Sequence, residues 1–442
     1  MRTLAAILAA TAVAAVAARP IATLRGERNV TGLCTDVNSY AGYVDIDDDS
    51  KHYFYWGFDS QNNPADDPVV LWMTGGPGCS SELALLFENG PCHANPAGDG
   101  TVPNPYSWNT NANLLYIDQP AGVGFSTGEE NDSDEAMVAA DMYAFLQGFF
   151  KAHPELADNP FFVIGESYGG HYAPATANGI YQGNQALAPG DIHINLAGLA
   201  MGNGLTDPEV QYKYYPEMAY NYSISKIGHP VVDLSTYKQM QNAVPGCVKL
   251  ISQCQQDHSV CSVAQFVCND AELSPYEQTG LNPYNIKEPC TVPGLCYNFT
   301  NVNTFLNSAA TQATLGVSGE WTSCNYQVNG DFSSDWMRNY QQDTLPLLAS
   351  KIPVLVYAGD LDFICNWLGN HAWTEALQWP GKAAFNAAAT KPWMVGGQQA
   401  GTIQAAEGLH FLRVFDAGHM VPHDQPAAAL AMLDTFISGG SF

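Results

Sequence analysis

The chain has 442 residues, 46% of them apolar and 13% charged, so it is long enough for one large α/β domain that carries an insertion. Its 43 Asp and Glu residues outnumber 16 Lys and Arg residues, which gives a formal net charge of −27. Such an acidic chain repels phosphate backbones and anionic lipids. The composition therefore argues against binding to nucleic acid and against binding to an anionic membrane through a polybasic segment. The charge fits an acidic compartment, although plain solubility explains it equally well.

The N-terminal segment has the pattern of a secretory signal peptide. One arginine precedes an unbroken run of apolar and small residues from Leu4 to Ala18, which predicts a signal peptide over residues 1–18. The alternative is a membrane anchor, but the run is short for a spanning helix, and no anchor is expected. Four sequons fit the same secretory route and permit N-glycosylation at Asn29, Asn131, Asn221 and Asn298.

Strands and helices alternate along much of the chain. Residues 40–58 alternate apolar and polar side chains around a DDDSK turn, which predicts a β-hairpin. The helical spacing of apolar residues from Asp134 to Phe150 predicts a helix. Buried strands are predicted at VVLWM (69–73), NLLYIDQP (113–120), FFVIGES (161–167), INLAGLAMGN (194–203), IPVLVYAGD (352–360) and FLRVFDAGH (411–419). This alternation predicts an α/β fold with a mostly parallel, doubly wound sheet and a site at the carboxyl ends of its strands.

The rhythm breaks between Pro208 and Ser323, where six of the eleven cysteines lie. We interpret residues 208–323 as a disulfide-stapled insertion that covers the site like a lid, between two core segments at 19–207 and 324–442. The alternative is a zinc site, but the cysteines lack the paired C-x₂-C spacing and a nearby histidine pair, so no metal is expected. The odd count leaves at least one thiol unpaired.

The pattern G-x-S-x-G at residues 165–169 places Ser167 on a sharp turn between a strand and a helix. Nucleophilic acyl transfer also needs a base and an acid that orients the base, in the chain order Ser, Asp, His for this kind of turn. Asp360 and Asp362 follow one predicted strand, and His419 and His423 follow another. The residues alone leave open which aspartate and which histidine act, since turn aspartates are often local caps.

Two further features stand near this nucleophile. The stretch TGGPGCSS at 74–81 directly follows a strand, and its adjacent glycines suit an oxyanion hole, although a simple strand-exit turn is the alternative. Glu166 precedes the serine, where a carboxylate hinders attack. A compensating role for this glutamate is therefore expected.

Four long blocks, WMTGGPGCSS, GESYGGHYAP, GDLDFICNWLGN and AGHMVPHDQP, resemble the signature blocks of the serine carboxypeptidase family of the carboxypeptidase Y type, in the same order. The similarity runs from about Tyr40 to the C-terminus. It implies an α/β-hydrolase fold, removal of single residues from peptide C-termini at acidic pH through an acyl-enzyme, and no cofactor. It also implies a protein that is secreted or resides in vacuoles or lysosomes.

The resemblance assigns Ser167 as nucleophile, His419 as general base and acid, and Asp362 as the orienting acid. The backbone N–H groups of Gly76 and Tyr168 are implied as the oxyanion hole. The remaining implied positions bind substrate. These are Glu88 and Glu166 with the Gly75 N–H for the terminal carboxylate, and Tyr284, Tyr297 and Met420 for the leaving residue.

The resemblance also sorts the cysteines. It implies the disulfides Cys79–Cys324, Cys247–Cys268, Cys254–Cys261 and Cys290–Cys296, with Cys365 as a free thiol near the site. Cys34 and Cys92 are left to pair with each other.

One residue departs from the family pattern. Thr74 stands where the family has an asparagine that takes part in binding the substrate carboxylate. The principal expectation is a carboxypeptidase, monomeric or homodimeric, that acts on peptides or proteins with a free C-terminal carboxylate. The alternatives are an acyltransferase or esterase on small metabolites and, less favoured, a catalytically silent binding protein.

Overall fold

The computed structural model describes residues 22–46 and 50–442. The predicted signal peptide at 1–18 lies outside these residues. None of the described helices is both long and apolar enough to cross a membrane. The side chains of the four sequon asparagines, Asn29, Asn131, Asn221 and Asn298, are exposed.

One large sheet forms the centre of the molecule. Its strands are β1 (Thr23–Asn29), β2 (Ser39–Ile46), β3 (Lys51–Phe58), β4 (Val69–Thr74), β7 (Asn113–Ile117), β8 (Thr127–Gly128), β9 (Phe161–Glu166), β10 (Leu196–Gly202), β13 (Val354–Gly359), β14 (Lys391–Val395), β15 (Gln398–Ala406) and β16 (Leu409–Val414). Two separate hairpins pair β5 (Cys92–Ala94) with β6 (Thr101–Pro103) and β11 (Leu281–Asn282) with β12 (Asn285–Pro289).

Within the described residues the large sheet has the order β1-β2-β3-β7-β4-β9-β10-β13-β16-β15-β14, and β8 pairs with β3. Every pairing from β7 through β16 in this order is parallel, and the pairings outside this block are antiparallel. The predicted mostly parallel sheet is therefore confirmed. Strands β4, β7, β9 and β13 are buried along their whole lengths, which explains why they read as continuous apolar runs.

Helices cover both faces of the sheet. The predicted helix after residue 134 is present, and its N-terminus is capped by Asp134, whose carboxylate accepts a hydrogen bond from the Met137 N–H. The helices are α1 (Glu82–Phe87), α2 (Glu135–Ala152), α3 (Gly169–Gln185), α4 (Pro208–Gln211), α5 (Tyr215–Glu217), α6 (Ser223–Ile227), α7 (Leu234–Cys254), α8 (Cys261–Glu272), α9 (Ser274–Glu277), α10 (Thr300–Leu306), α11 (Ala309–Leu315), α12 (Tyr326–Asp331), α13 (Thr344–Ala349), α14 (Trp367–Ala376), α15 (Lys382–Ala387), α16 (Val421–Asp424) and α17 (Pro426–Ile437).

Two apolar clusters, one on each face of the sheet, make up the core. One contains buried side chains of α2 and α3, and the other contains those of α1 and α17. Between β10 and β13 the chain leaves the sheet and forms the helices α4 to α13, of which α7 with 21 residues is the longest, and the β11–β12 hairpin. This segment is mainly helical, in agreement with its weak strand signal.

Five disulfides link the described cysteines, and they are the five pairs expected above. Cys247–Cys268 and Cys254–Cys261 both join α7 to α8, which lie against each other. Cys79–Cys324 ties the loop after β4 to the end of the long excursion, and the other pairs are Cys34–Cys92 and Cys290–Cys296. Cys365 is free and buried.

Candidate active site

Ser167 lies on the sharp turn between β9 and α3. Its φ of 64° is in the left-handed region that few non-glycine residues adopt, and such strain is typical of nucleophile turns. The turn is held because the Ser167 carbonyl accepts hydrogen bonds from the N–H groups of Gly170 and Leu205 at 2.9 Å each. A Cβ at Gly165 would lie 2.9 Å from the Cβ of Ala173, so only glycine lets the strand and helix pack this closely.

His419 follows β16 and contacts a carboxylate that follows β13. Its Nδ1 lies 2.8 Å from the Oδ2 of Asp362, which is fully buried. The same oxygen accepts hydrogen bonds from the Asn203 side-chain amide at 2.8 Å and the Cys365 N–H at 3.2 Å. Since Nδ1 is engaged by Asp362, Nε2 is the nitrogen left to face Ser167, and His419 and Ser167 line the same cavity.

The other aspartate and histidine left open by the sequence have different partners. Asp360 is fully buried and forms ion pairs with Lys226 at 2.9 Å and Arg413 at 3.0 Å. The Nδ1 of His423 lies 3.2 Å from the carbonyl oxygen of Phe87, and the two rings stack with centroids 4.2 Å apart. Asp362 and His419 are therefore the pair in contact.

The loop after β4 lies directly against the nucleophile turn. A Cβ at Gly75 would collide with the Tyr168 nitrogen and would lie 2.9 Å from the Gly169 nitrogen, so this approach requires glycine. Gly76 and Tyr168 both line the cavity with Ser167. Among the hydrogen bonds of the described residues, none is donated by the N–H of Gly76 or Tyr168. Both groups are therefore available to an oxyanion.

Glu88 and Glu166 form a buried carboxyl pair, exposed by 1% and 2% respectively. Glu88 follows α1, and Glu166 is the last residue of β9. Burial raises the pKa of Glu88 to about 8, and a hydrogen bond with Glu166 acts in the opposite direction. Burial, and then the charge and hydrogen bond of Glu88, raises the pKa of Glu166 well above its usual value. Glu166 therefore keeps its proton and can share it with Glu88.

Thr74 lies beside this pair at the end of β4, where it pairs with Glu166 in register. Its Oγ1 accepts a hydrogen bond from the indole N–H of Trp72 at 2.9 Å. The hydroxyl hydrogen remains available as a donor, and Thr74 lines the cavity. Threonine thus offers one donor at this position, where an asparagine offers two.

Most of the expected substrate-binding residues line one cavity. Gly75, Glu166, Tyr284, Tyr297 and Met420 lie in its wall, while Glu88 and Asp362 are not part of the wall. The ring of Tyr284 also lies beside the imidazole of His419, with centroids 5.0 Å apart and the ring planes tilted by 60°. The sequence analysis missed a second set of wall residues, which are Leu83, Leu205, Tyr212, Tyr215, Leu273, Leu295, Trp336 and Ile364.

Two supporting contacts were also missed. Asn203 holds Asp362 from 159 positions away in the sequence, and its own φ of 42° is left-handed. The hydroxyl of Tyr168 donates to Asp335 at 2.6 Å, which fixes the residue that follows Ser167. The Gly-Asn-Gly sequence at residues 202–204 is a signal that sequence reading could have used, because asparagine tolerates the left-handed conformation, whereas nothing local marks Asp335.

Asp362, Cys365 and His419 place their possible ligand atoms within 4.8 Å of one another. Two of these groups bind each other, and burial raises the pKa of the Cys365 thiol well above its usual value, so the thiol stays protonated. A protonated thiol is a poor metal ligand. The set fits a catalytic dyad beside a cysteine better than a metal site.

Comparisons with known proteins agree with this geometry. Residues 30–439 match the family model described as serine carboxypeptidase. Carboxypeptidase Y of Candida albicans is 44% identical over 410 residues, which cover 91% of this chain and 74% of that protein. Carboxypeptidase Y of Komagataella phaffii is 42% identical over 409 residues, covering 90% and 76%.

Among solved structures, the prohormone-processing carboxypeptidase Kex1Δp of Saccharomyces cerevisiae superimposes with a TM-score of 0.80 at 27% identity. The match covers 91% of this chain and 92% of that one. The predicted α/β-hydrolase fold is thereby confirmed.

Proposed function

The chain belongs to the serine carboxypeptidase family and is a serine-type carboxypeptidase, and we propose that its reaction runs through an acyl-enzyme on Ser167. His419 takes the proton from the Ser167 hydroxyl as the hydroxyl oxygen attacks the last peptide carbonyl. Asp362 holds the imidazole in the tautomer that leaves Nε2 free to accept this proton, and it stabilises the imidazolium that results.

The tetrahedral intermediate places a negative charge on the former carbonyl oxygen. The N–H groups of Gly76 and Tyr168 stabilise this charge, since both face the cavity without a competing acceptor among the described residues. His419 then gives its proton to the leaving amine, and the C-terminal residue departs. Water, deprotonated by His419, hydrolyses the ester on Ser167.

The buried pair of Glu88 and Glu166 is the observation that best supports an exopeptidase acting at peptide C-termini. Neither Glu88 oxygen has a hydrogen-bond partner outside the pair within the described chain, and the same holds for Oε2 of Glu166. Two enclosed carboxyl groups beside a nucleophile need a ligand that accepts a hydrogen bond from their shared proton, and a substrate's terminal carboxylate is such a ligand. The Gly75 N–H and the Thr74 hydroxyl complete the set of donors.

This pair also supports activity at acidic pH. The protonated pair donates to the substrate carboxylate, whereas the ionised pair repels it. Because the pKa of Glu88 is about 8 and that of Glu166 is also raised, the pair holds its protons at acidic pH and loses one as the pH rises through this range. Binding of peptides is therefore strongest on the acidic side.

Three wall residues, Tyr284, Tyr297 and Met420, form the pocket for the leaving side chain. They present aromatic and thioether surface, with the rings of Tyr284 and Tyr297 5.5 Å apart. This surface favours apolar leaving residues. We assign residues 208–323 as the lid, since Tyr212, Leu273 and Tyr297 of this segment line the cavity.

The five disulfides and the exposed sequons support residence in the secretory pathway, outside the cell or in a vacuole or lysosome. The proposed peptide substrates carry a free C-terminal carboxylate.

The Thr74 substitution favours one competing function, an acyltransferase or esterase on small metabolites. An ester without a carboxylate has no use for the Glu88–Glu166 pair, which supports the peptidase. Rates on blocked dipeptides with a free C-terminus, compared with rates on sugar esters, separate the two functions. Labelling of Ser167 by a serine-directed phosphonate tests the acyl-enzyme itself, and failure to label would contradict the proposed nucleophile.

A further inference from the structure

A second cavity of about 400 Å³ lies between α2, α3 and the turn at residues 332–340. None of the described residues in its wall is shared with the cavity around Ser167. Its wall includes Asp335, which accepts the hydrogen bond from the Tyr168 hydroxyl. The second cavity is thus separate from the active site but connected to it through one side chain.

Glu135 is the most unusual residue of this wall. It is the first residue of α2 and is 1% exposed, yet neither of its carboxyl oxygens has a hydrogen-bond partner within the described residues. Burial, and then the charges of Asp335 and Asp343, raises its pKa well above the usual value. An enclosed carboxyl group without a partner is costly, and it indicates a ligand that supplies a hydrogen-bond donor.

Arg338 presents a cationic group to the same cavity. Its Nη1 is buried and has no hydrogen-bond partner in the part of the chain that the structure describes. Glu135 and Arg338 are therefore complementary groups in one wall that do not bind each other. A ligand with a donor cation at one end and an acceptor anion at the other would satisfy both.

We propose that this cavity binds a free α-amino acid, whose ammonium group contacts Glu135 and whose carboxylate contacts Arg338. The choice of ligand rests on the proposed function, because the carboxypeptidase reaction releases α-amino acids. Ala136, Ala139 and Ala175 line the same cavity, and their small side chains leave room for that of the ligand.

A metal ion fits this cavity less well than an ammonium group. Among the described residues, the group whose ligand atoms lie close enough to hold an ion is Asp362, Cys365 and His419, which belongs to the active site. Asp335 is also occupied, since it accepts hydrogen bonds from Tyr168 and Tyr340. The ammonium group of an amino acid bound at Glu135 lies near Asp335, whose carboxylate accepts the hydrogen bond from the Tyr168 hydroxyl.

The test is calorimetric titration of L-alanine into the full chain carrying Ser167→Ala, so that no turnover interferes. Glu135→Gln and Arg338→Met are each expected to weaken binding at this cavity about tenfold or more, the loss of one charge-assisted hydrogen bond. Asp331→Asn removes a nearby surface carboxylate outside the cavity and is expected to leave binding unchanged. Ethylamine and propanoate, each carrying one of the two charges, are expected to bind more weakly than alanine.

Three results would overturn the proposal. They are no binding at millimolar alanine, binding by both cavity variants as tight as that of the Ser167→Ala parent, or a loss confined to Glu166→Gln, which would place alanine in the active site. Circular dichroism shows whether either cavity variant is misfolded, and in that case the binding measured with the other cavity variant tests the proposal. This titration measures binding alone and so does not depend on the reaction. Failure of the proposed function is detected by a separate experiment, in which the phosphonate does not label Ser167 of the wild-type protein.

Discussion

Glu166→Gln is expected to flatten the pH dependence of peptide binding. In the proposed binding mode, the donor to the substrate carboxylate is a proton of the Glu88–Glu166 pair, and it is lost as the pH rises through about 8. The glutamine amide donates at every pH, so the variant keeps a donor where the wild type loses one.

The size of the effect follows from the burial of the pair. A hydrogen bond to a charged partner in such a site is worth about 1.5–3 kcal/mol. At 1.36 kcal/mol per factor of ten, complete loss of the donor weakens binding at least about tenfold. With a pKa of about 8, about nine-tenths of the protein has lost the proton at pH 9, so kcat/KM of the wild type on a free-carboxylate peptide falls about tenfold between pH 6 and pH 9. The Glu166→Gln variant is expected to lose about threefold or less over the same range, most of it in KM.

The assay is a pH series of kcat and KM on a blocked dipeptide with a free C-terminus and on its C-terminal amide. The amide carries no charge, so its KM should change little with pH in either protein. Glu272→Gln is a matched control, because Glu272 is fully buried and unpartnered among the described residues, its pKa is raised to about 9 by burial, and it lies outside the wall of the active site. An equal decline of kcat/KM in the wild type and Glu166→Gln would refute the reasoning.

Further predictions concern the catalytic pair and the stability of the fold. Asp362→Asn is expected to lower kcat by about 10⁴-fold, as in other Ser–His–Asp enzymes. Asp360→Asn should leave kcat unchanged but, because it breaks buried ion pairs, lower the free energy of unfolding by about 3–5 kcal/mol. Steady-state rates and urea denaturation measure the two effects, and the reverse pattern would contradict the assignment. His423→Gln should change kcat less than about threefold, while His419→Gln should abolish turnover, and comparable losses would count against His419. The pKa values of Glu88 and Glu272 are raised in the folded state, which therefore holds protons that the unfolded state has lost. As the pH rises from about 4.5 to these folded-state pKa values, the free energy of unfolding should fall by up to about 1.4 kcal/mol per group and pH unit. A thermal midpoint that is higher at pH 8 than at pH 5 would contradict this expectation.

The parts of the site that the sequence predicted are those encoded locally. The nucleophile turn needs a strand, a left-handed Ser167 and close glycines, and all of these lie within a few residues of one another. The same holds for the buried strands, whose apolar runs directly reflect burial on both faces.

The parts that the residues alone left open are decided by distant contacts. Asp360 and Asp362 follow the same strand, and their roles differ because Lys226 and Arg413 reach one while Asn203 and His419 reach the other. No pattern in the stretch GDLD records which partner arrives. The resemblance to a known family supplied that information.

The weak strand signal of residues 208–323 was predicted from the sequence, but the individual helices of this segment were not. Helix α7 contains Pro245 in its interior, which a sequence reading takes as a helix boundary. The two disulfides from α7 to α8 hold this helix in place despite the missing N–H. Tyr212, Tyr215 and Leu273 line the cavity because of how this segment packs, which depends on tertiary contacts and not on local propensity.

The most direct test of the central claim is mass spectrometry of a peptide after incubation with the protein at pH 5. The account predicts a ladder of products shortened one residue at a time from the C-terminus. The ladder should slow markedly for the same peptide with a C-terminal amide and should be absent with Ser167→Ala. Internal cleavage, equal rates on the acid and the amide, or a ladder that persists in Ser167→Ala would contradict the account.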